Sequence, residues 1–287
     1  MQSGRSADLV VDSARLLSSM LYPRENTIDR GAKVNTKLER LTVVGIDCAT
    51  LPSKTGLTLA EFSKGTLKIN ECRLASSRPS VAQQVFMWIG DRKDVVLAID
   101  SPLGWPAALG KVLSVHKAGL PLMETSDQMF RRRTDEVVRA DLRKAPLEVG
   151  ADRIARTAVT ALTVLAELGA MFGKRIRIGQ DPALQVGVQA IEVYPAGTLR
   201  AYEKVGYLNA HGSTEFKKRL LLKKKMKDGE LVIGKDGKKS ITNEHVLDSI
   251  LCAVAAADFL AGNVRRPESK LEKTMAIKEG WIWVRSV

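Results

Sequence analysis

The stretch Leu41–Thr50, LTVVGIDCAT, constrains the fold more than any other. An apolar run from Leu41 to Ile46 ends in Asp47, and Pro52 follows within a few residues. A short run of this kind reads as a strand buried on both faces. Asp47 then stands where the sheet opens to solvent, the place where α/β sheets form their sites. Taken alone, Asp47 serves equally well as a turn residue. Three further segments repeat the pattern. Asp94–Pro102, DVVLAIDSP, ends its apolar run in Asp100; Val188–Pro195, VQAIEVYP, carries Glu192; the apolar segment His245–Gly262 carries Asp248. Burying an unpaired carboxylate costs several kcal/mol. Four such acids are therefore expected to converge on something positive, and hard oxygen ligands suit Mg²⁺ or Mn²⁺.

The order of elements is specific. After the first strand, Leu57–Phe62 and Thr66–Leu74 alternate about Ser63-Lys64-Gly65, which predicts a β-hairpin and three antiparallel strands in succession. A helix over Ser80–Ile89 leads to the Asp94 strand, which the crossover rule returns parallel to strand one. The result is an α/β chain with a β-β-β-α-β core, flanking helices and inserted helical and basic segments. Ile154–Phe172 predicts a long amphipathic helix, His245–Gly262 a helix opened by Asn243, and Glu279–Val284 a closing strand. Residues 41–287 form the main domain on this reading. Residues 1–40 form an appendage, a helical stripe over Ala7–Leu21 and a polar linker, and the stripe needs either the main domain or a second copy of the chain to pack on.

The chain's 287 residues carry a net charge of +13, which points to a polyanionic partner, nucleic acid before a membrane surface. Two segments concentrate that charge. Arg131, Arg132 and Arg133 form one, readable as a solvated turn or as a phosphate clamp. Phe216–Lys227 forms the other, a short helix whose Lys217, Lys218, Arg219, Lys223, Lys224 and Lys225 would follow a nucleic-acid backbone. Three cysteines without a C-x-x-C spacing indicate neither a disulfide framework nor a zinc site, and imply a reducing cytoplasm. Cys48 has no local Cys–His signature to make it a nucleophile. No run of about 18 uncharged apolar residues occurs, so no membrane partner is expected. His245 and Asp248, three apart on a helix, share a face.

The layout of strand, hairpin, helix, strand and late acidic helix resembles the RNase H-like fold. More closely, the chain is similar to an uncharacterised predicted-nuclease family known as domain of unknown function 429. The resemblance rests on Gly45-Ile46-Asp47, Ala98–Gly104, Arg133-Thr134-Asp135, Glu192–Pro195, His245–Ser249 and Glu279-Gly280-Trp281, and runs from about Leu41 to Val287. It implies that Asp47, Asp100 and Asp248 fall at metal-ligand positions, with Glu192 a fourth ligand or an orienting acid. Two divalent ions there would support in-line phosphodiester hydrolysis, with His245 moving a proton. Two other readings stand beside it. One is an ATP-dependent phosphotransferase of the actin and sugar-kinase type, which shares the strand order. The other is a non-catalytic nucleic-acid-binding domain.

Overall fold

The computed structural model describes residues 40–150, 152–183, 187–209, 214, 231–233 and 243–287. The appendage expected at the N-terminus, and with it the oligomer contact, lies outside them. Among the described residues, seven strands form one mixed sheet: β1 (Leu41–Asp47), β2 (Gly56–Ser63), β3 (Thr66–Leu74), β4 (Val95–Asp100), β5 (Arg177–Ile178), β6 (Val188–Glu192) and β7 (Leu231–Ile233), in the order β5-β6-β4-β1-β2-β3-β7. β1, β2 and β3 are antiparallel neighbours, whereas β4 lies parallel to β1 and β6 parallel to β4. This is the RNase H-like arrangement, and the β-β-β-α-β core falls where the alternation of the sequence puts it.

The crossover from β3 to β4 is helix α1 (Val81–Ile89), whose start is fixed by Ser80. The Ser80 hydroxyl accepts from the Gln83 amide, and the Gln83 side chain accepts from the Ser80 amide. The long helix is α5 (Asp152–Met171). Counting uncharged residues misses that its Arg153–Met171 portion is long and apolar enough, by length and composition, to cross a membrane. In this fold Ala158, Ala161, Leu165 and Leu168 of that helix are buried, and it packs on α1.

Five further helices complete the described chain before the last. They are α2 (Ala107–Leu113), α3 (Ser126–Phe130), α4 (Arg133–Leu142), α6 (Pro195–Lys204) and α7 (Glu244–Leu260). The last is α8 (Lys270–Glu279), so the closing strand expected from Glu279 does not form. Glu279 ends a helix, and beyond it the chain makes single bridges, Ile282 to Glu192 and Arg285 to Val264. Ser269 starts that helix by capping the Glu272 amide, and Gly280 at its C-cap ends it just before WIWV.

Strand parity divides the core. Val43 and Ala98 point to the α7 face, with Ile191, Cys252 and Phe259 in the same cluster. Val44, Ile46, Leu97, Ile99, Val188 and Ala190 point to the α1 and α5 face. α7 lies unusually close to the sheet. A Cβ on Gly45 would stand 2.1 Å from the Ser249 carbonyl oxygen, and one on Gly56 would stand 1.9 Å from that of His245. Both obstacles are backbone and cannot swing away. Gly45→Ala is accordingly expected to destabilise the fold by at least ~2 kcal/mol. Gly110→Ala, on α2 with open space around it, should be neutral or stabilising by up to ~1 kcal/mol. Urea unfolding of the two variants checks both.

Candidate active site

Period-two alternation that sends Val43 and Gly45 toward α7 sends Asp47 there too, and the same parity carries Val96, Ala98 and Asp100. Asp47 and Asp100 are direct register partners at the ends of parallel β1 and β4. Neighbouring strands lie about 4.8 Å apart, so two carboxyl groups leave one sheet edge side by side. α7 supplies the rest. The Asn243 side chain accepts from the His245 and Val246 amides and fixes the start of the helix. His245 Nδ1 then lies 2.8 Å from Asp47 Oδ2. Asp248 follows on the same helix face.

The three aspartates bear on one sulfur. Burial first, then Asp100, Asp47 and Asp248, push the Cys252 thiol well up from its ordinary value. Cys252 Sγ, which donates to the Ile46 carbonyl at 3.6 Å, sits under all three charges. Cys48 is affected likewise: burial, then Asp100 and Asp47, raise its thiol to about 12. It is a protonated thiol at neutral pH, not a nucleophile. Among the described residues, no three His, Cys, Asp or Glu side chains are drawn together into a metal cage. The site is an acidic edge with a histidine on it.

Glu192 does not join this edge. In β6 it pairs with Ile99, and Ile99, Val188 and Ala190 all face α1 and α5. Parity therefore turns the Glu192 carboxylate to the opposite side of the sheet from Asp47 and Asp100. There Arg132 grips it with two parallel bonds, Nη1 to Oε2 at 2.8 Å and Nη2 to Oε1 at 2.7 Å, while the Leu103 amide donates to Oε2 at 3.0 Å. The expectation of Glu192 as a metal ligand gives way to a structural role. Burial pushes its carboxyl up, and Arg132 and the Leu103 amide pull against that. Burial also opposes the charge on Arg132, but Glu192 and Asp135 outweigh it and hold the guanidinium protonated.

Arg132 is 1% exposed and cannot reach a phosphate. The phosphate-clamp reading fails for it because two acids already occupy its fork: besides Glu192, Asp135 takes Nε and Nη2 at 3.1 and 2.8 Å. Arg131 pairs with Asp127 and Glu148, and Arg133 with Glu136 and Glu272. Lys217, Lys218, Arg219, Lys223, Lys224 and Lys225 lie outside the described residues.

One residue that acid counting overlooks is Glu279. It is buried at the end of α8, accepts from the Ala107 amide at 2.8 Å and the Arg133 amide at 2.7 Å, and lends its carbonyl to Arg132. With Glu192 it ties down the chain that leaves β4 after Asp100. Its sequence signal is the Glu-Gly-Trp motif, since Gly280 adopts φ +85° and a Cβ there would stand 3.0 Å from Glu192 Oε2.

The sheet order is that of the RNase H-like fold class. The chain belongs to the family described as "Protein of unknown function (DUF429)", whose profile matches residues 45–272. A search of curated proteins finds no match. Among solved structures, the human cytomegalovirus terminase nuclease domain is similar at 10% identity and a TM-score of 0.33, covering 92% of this chain and 97% of that one. The same domain soaked with Mn aligns with the same values.

Arg132→Met should destabilise the protein by ~3–5 kcal/mol, because it leaves buried carboxylates without their cation. The deficit depends on pH in a definite sense. Burial raises the Glu192 carboxyl in the folded state, and without Arg132 less opposes that rise. A carboxyl raised on folding penalises the native state above its folded pKa, and the penalty fades as pH falls toward the unfolded value of about 4.3. Chemical denaturation of Arg132→Met should thus show a smaller deficit at pH 5 than at pH 8. An Arg132→Met/Glu192→Met pair should recover much of the loss.

Proposed function

We propose that the protein is a divalent-metal-dependent phosphodiesterase acting on nucleic acid. The observation that carries this reading is the register pairing of Asp47 and Asp100 on one face of the sheet edge, beneath the helix that presents His245 and Asp248. Two carboxylates on rigid neighbouring strands are a like-charge pair, and a divalent cation relieves that repulsion. Their oxygen donors are hard and stand at an open edge, which fits Mg²⁺ or Mn²⁺ better than a softer metal. Asp47 and Asp100 would hold the ion, with Asp248 as the third acid. When bound, such an ion supplies Lewis acidity and neutralises charge at the phosphate.

The chain's own groups do the rest. Asp47 orients the His245 ring through Nδ1, which leaves Nε2 as the nitrogen that holds or moves a proton at the reacting phosphate. The Arg132–Glu192–Glu279 cluster holds the backbone after Asp100 in place, so the strand end that carries Asp100 does not drift. The net charge of +13 favours a polyanionic substrate.

A cleavage panel of single-stranded, duplex, hybrid and branched DNA and RNA, run in Mg²⁺, Mn²⁺ and EDTA, tests the reading. Cleavage is expected with either ion and not in EDTA. Asp47→Asn, Asp100→Asn and Asp248→Asn should each reduce it by ~100-fold or more while thermal melting is unchanged or higher. Glu192→Gln, on the other face, should lower the melting temperature instead. Full cleavage by well-folded Asp47→Asn would end the proposal, and ATP binding without any effect of nucleic acid would favour a phosphotransferase.

A further inference from the structure

The chain that leaves β4 after Asp100 is fixed at its root and apolar at its tip. Leu103 and Ala107 give their amides to Glu192 and Glu279. Gly104 lies so flat on the end of α8 that a Cβ there would come within 2.6 Å of the Glu279 backbone. Beyond these ties, α2 and the loop that follows it expose Leu113, Val115, Leu120, Leu122 and Met123, with Val115 at 79% and Met123 at 88%. Lys111, His116 and Lys117 are exposed among them. No acidic side chain occurs from Ser101 to Met123.

A single exposed aliphatic residue is ordinary, but five on one firmly rooted arm mark a contact surface. Charge selects the partner. The arm is cationic and free of acids, so it suits a polyanion that also offers apolar faces. A second copy of this strongly basic chain would be repelled. A membrane surface calls for an extended amphipathic helix, whereas α2 has seven residues and the tip is loop. Unstacked bases meet both demands, since aliphatic and proline side chains are the usual wedges between base steps.

We propose that the arm from Lys111 to Met123 is a nucleic-acid wedge. Leu120, Pro121, Leu122 and Met123 press against unpaired or unstacked bases, and Lys111 and Lys117 hold the neighbouring phosphates. The inference rests on the nuclease reading for its substrate and refines it. The preferred substrate is a strand with unpaired or easily unstacked steps, because a stiff matched duplex offers the wedge no opening.

The test uses the full chain in EDTA with short DNA and RNA probes carrying 2-aminopurine at one internal step: single strands, a matched duplex and a duplex with a mismatch beside the reporter. Wild-type protein should bind the mismatched duplex more tightly than the matched one and raise its emission. Leu120→Ser/Leu122→Ser/Met123→Ser should abolish the rise and weaken binding about tenfold, with melting temperature unchanged because these side chains are exposed. Equal affinity and emission in wild type and variant would overturn the wedge. So would a dimer in sedimentation that the variant dissociates, or binding of wild type to anionic vesicles that the variant loses. Cleavage measured in parallel with Mg²⁺ separates the two readings: emission without cleavage removes the nuclease and keeps the wedge, and cleavage with an unaffected variant removes the wedge alone.

Discussion

The absence of two side chains lets the helix bearing His245 and Asp248 lie against the sheet backbone. Gly45 on β1 and Gly56 on β2 each face an α7 carbonyl that a methyl group would strike. With both positions bare, Ser249 reaches across to Thr58 at 2.7 Å and Cys252 reaches the Ile46 carbonyl. The helix is then near enough for its first turn to set His245 on Asp47. Had the strand carried alanine at Gly45, the helix would ride higher. His245 and Asp248 would lift away from the strand ends together, since both sit on one rigid rod. Close approach and site assembly are one event.

The sheet treats negative charge in two opposite ways on its two faces. On the α7 face, aspartates are gathered side by side, and burial together with their fields suppresses ionisation of two cysteines. On the other, Glu192 is held by Arg132 and the Leu103 amide, and Arg132 also holds Asp135 and the carbonyl of Glu279. A buried Arg–acid cluster adds little net stability compared with a well-packed apolar one, but it fixes geometry, because a bidentate fork accepts one arrangement. Here it joins four separate pieces of chain: the end of β6, the start of α4, the end of α8 and the loop after β4. The last of these runs directly from Asp100, so order on one face holds the geometry on the other.

The fold was legible in the sequence because its signals are local. Alternation gives the hairpin, an apolar run gives each central strand, and Ser80 and Asn243 announce their helices. The paired aspartates were legible for the same reason. Glu192 was misread although parity was available: Ile191 and Val193 belong to the α7 face, and Glu192 between them must face away. The run of three arginines misled for a different reason. Half of its acids, Asp127, Asp135 and Glu136, lie within four residues, but Glu148, Glu192 and Glu272 come from distant parts of the chain, and local composition does not show that these last three arrive. Glu279 stayed hidden because the apolar WIWV beyond it reads as strand, while the Ser269 cap that starts its helix lies ten residues earlier.

Those two treatments of charge also separate what is structural from what is available for chemistry. A carboxylate whose cation comes from the same chain is neutralised permanently, and its oxygens are spoken for. Asp47 and Asp100 are held side by side by strand register, and glycine contacts, caps and the Arg132 cluster hold the strand ends and the helix around them. On the proposed reading, a cation from solution would relieve the repulsion between them, most where the acids are fixed and cannot turn away. The rigidity built into Gly45, Asn243 and Glu192 therefore has a direct electrostatic consequence. It keeps Asp47 and Asp100 from relaxing apart, so the close pairing of the two acids that strand register sets at this edge of the sheet is held.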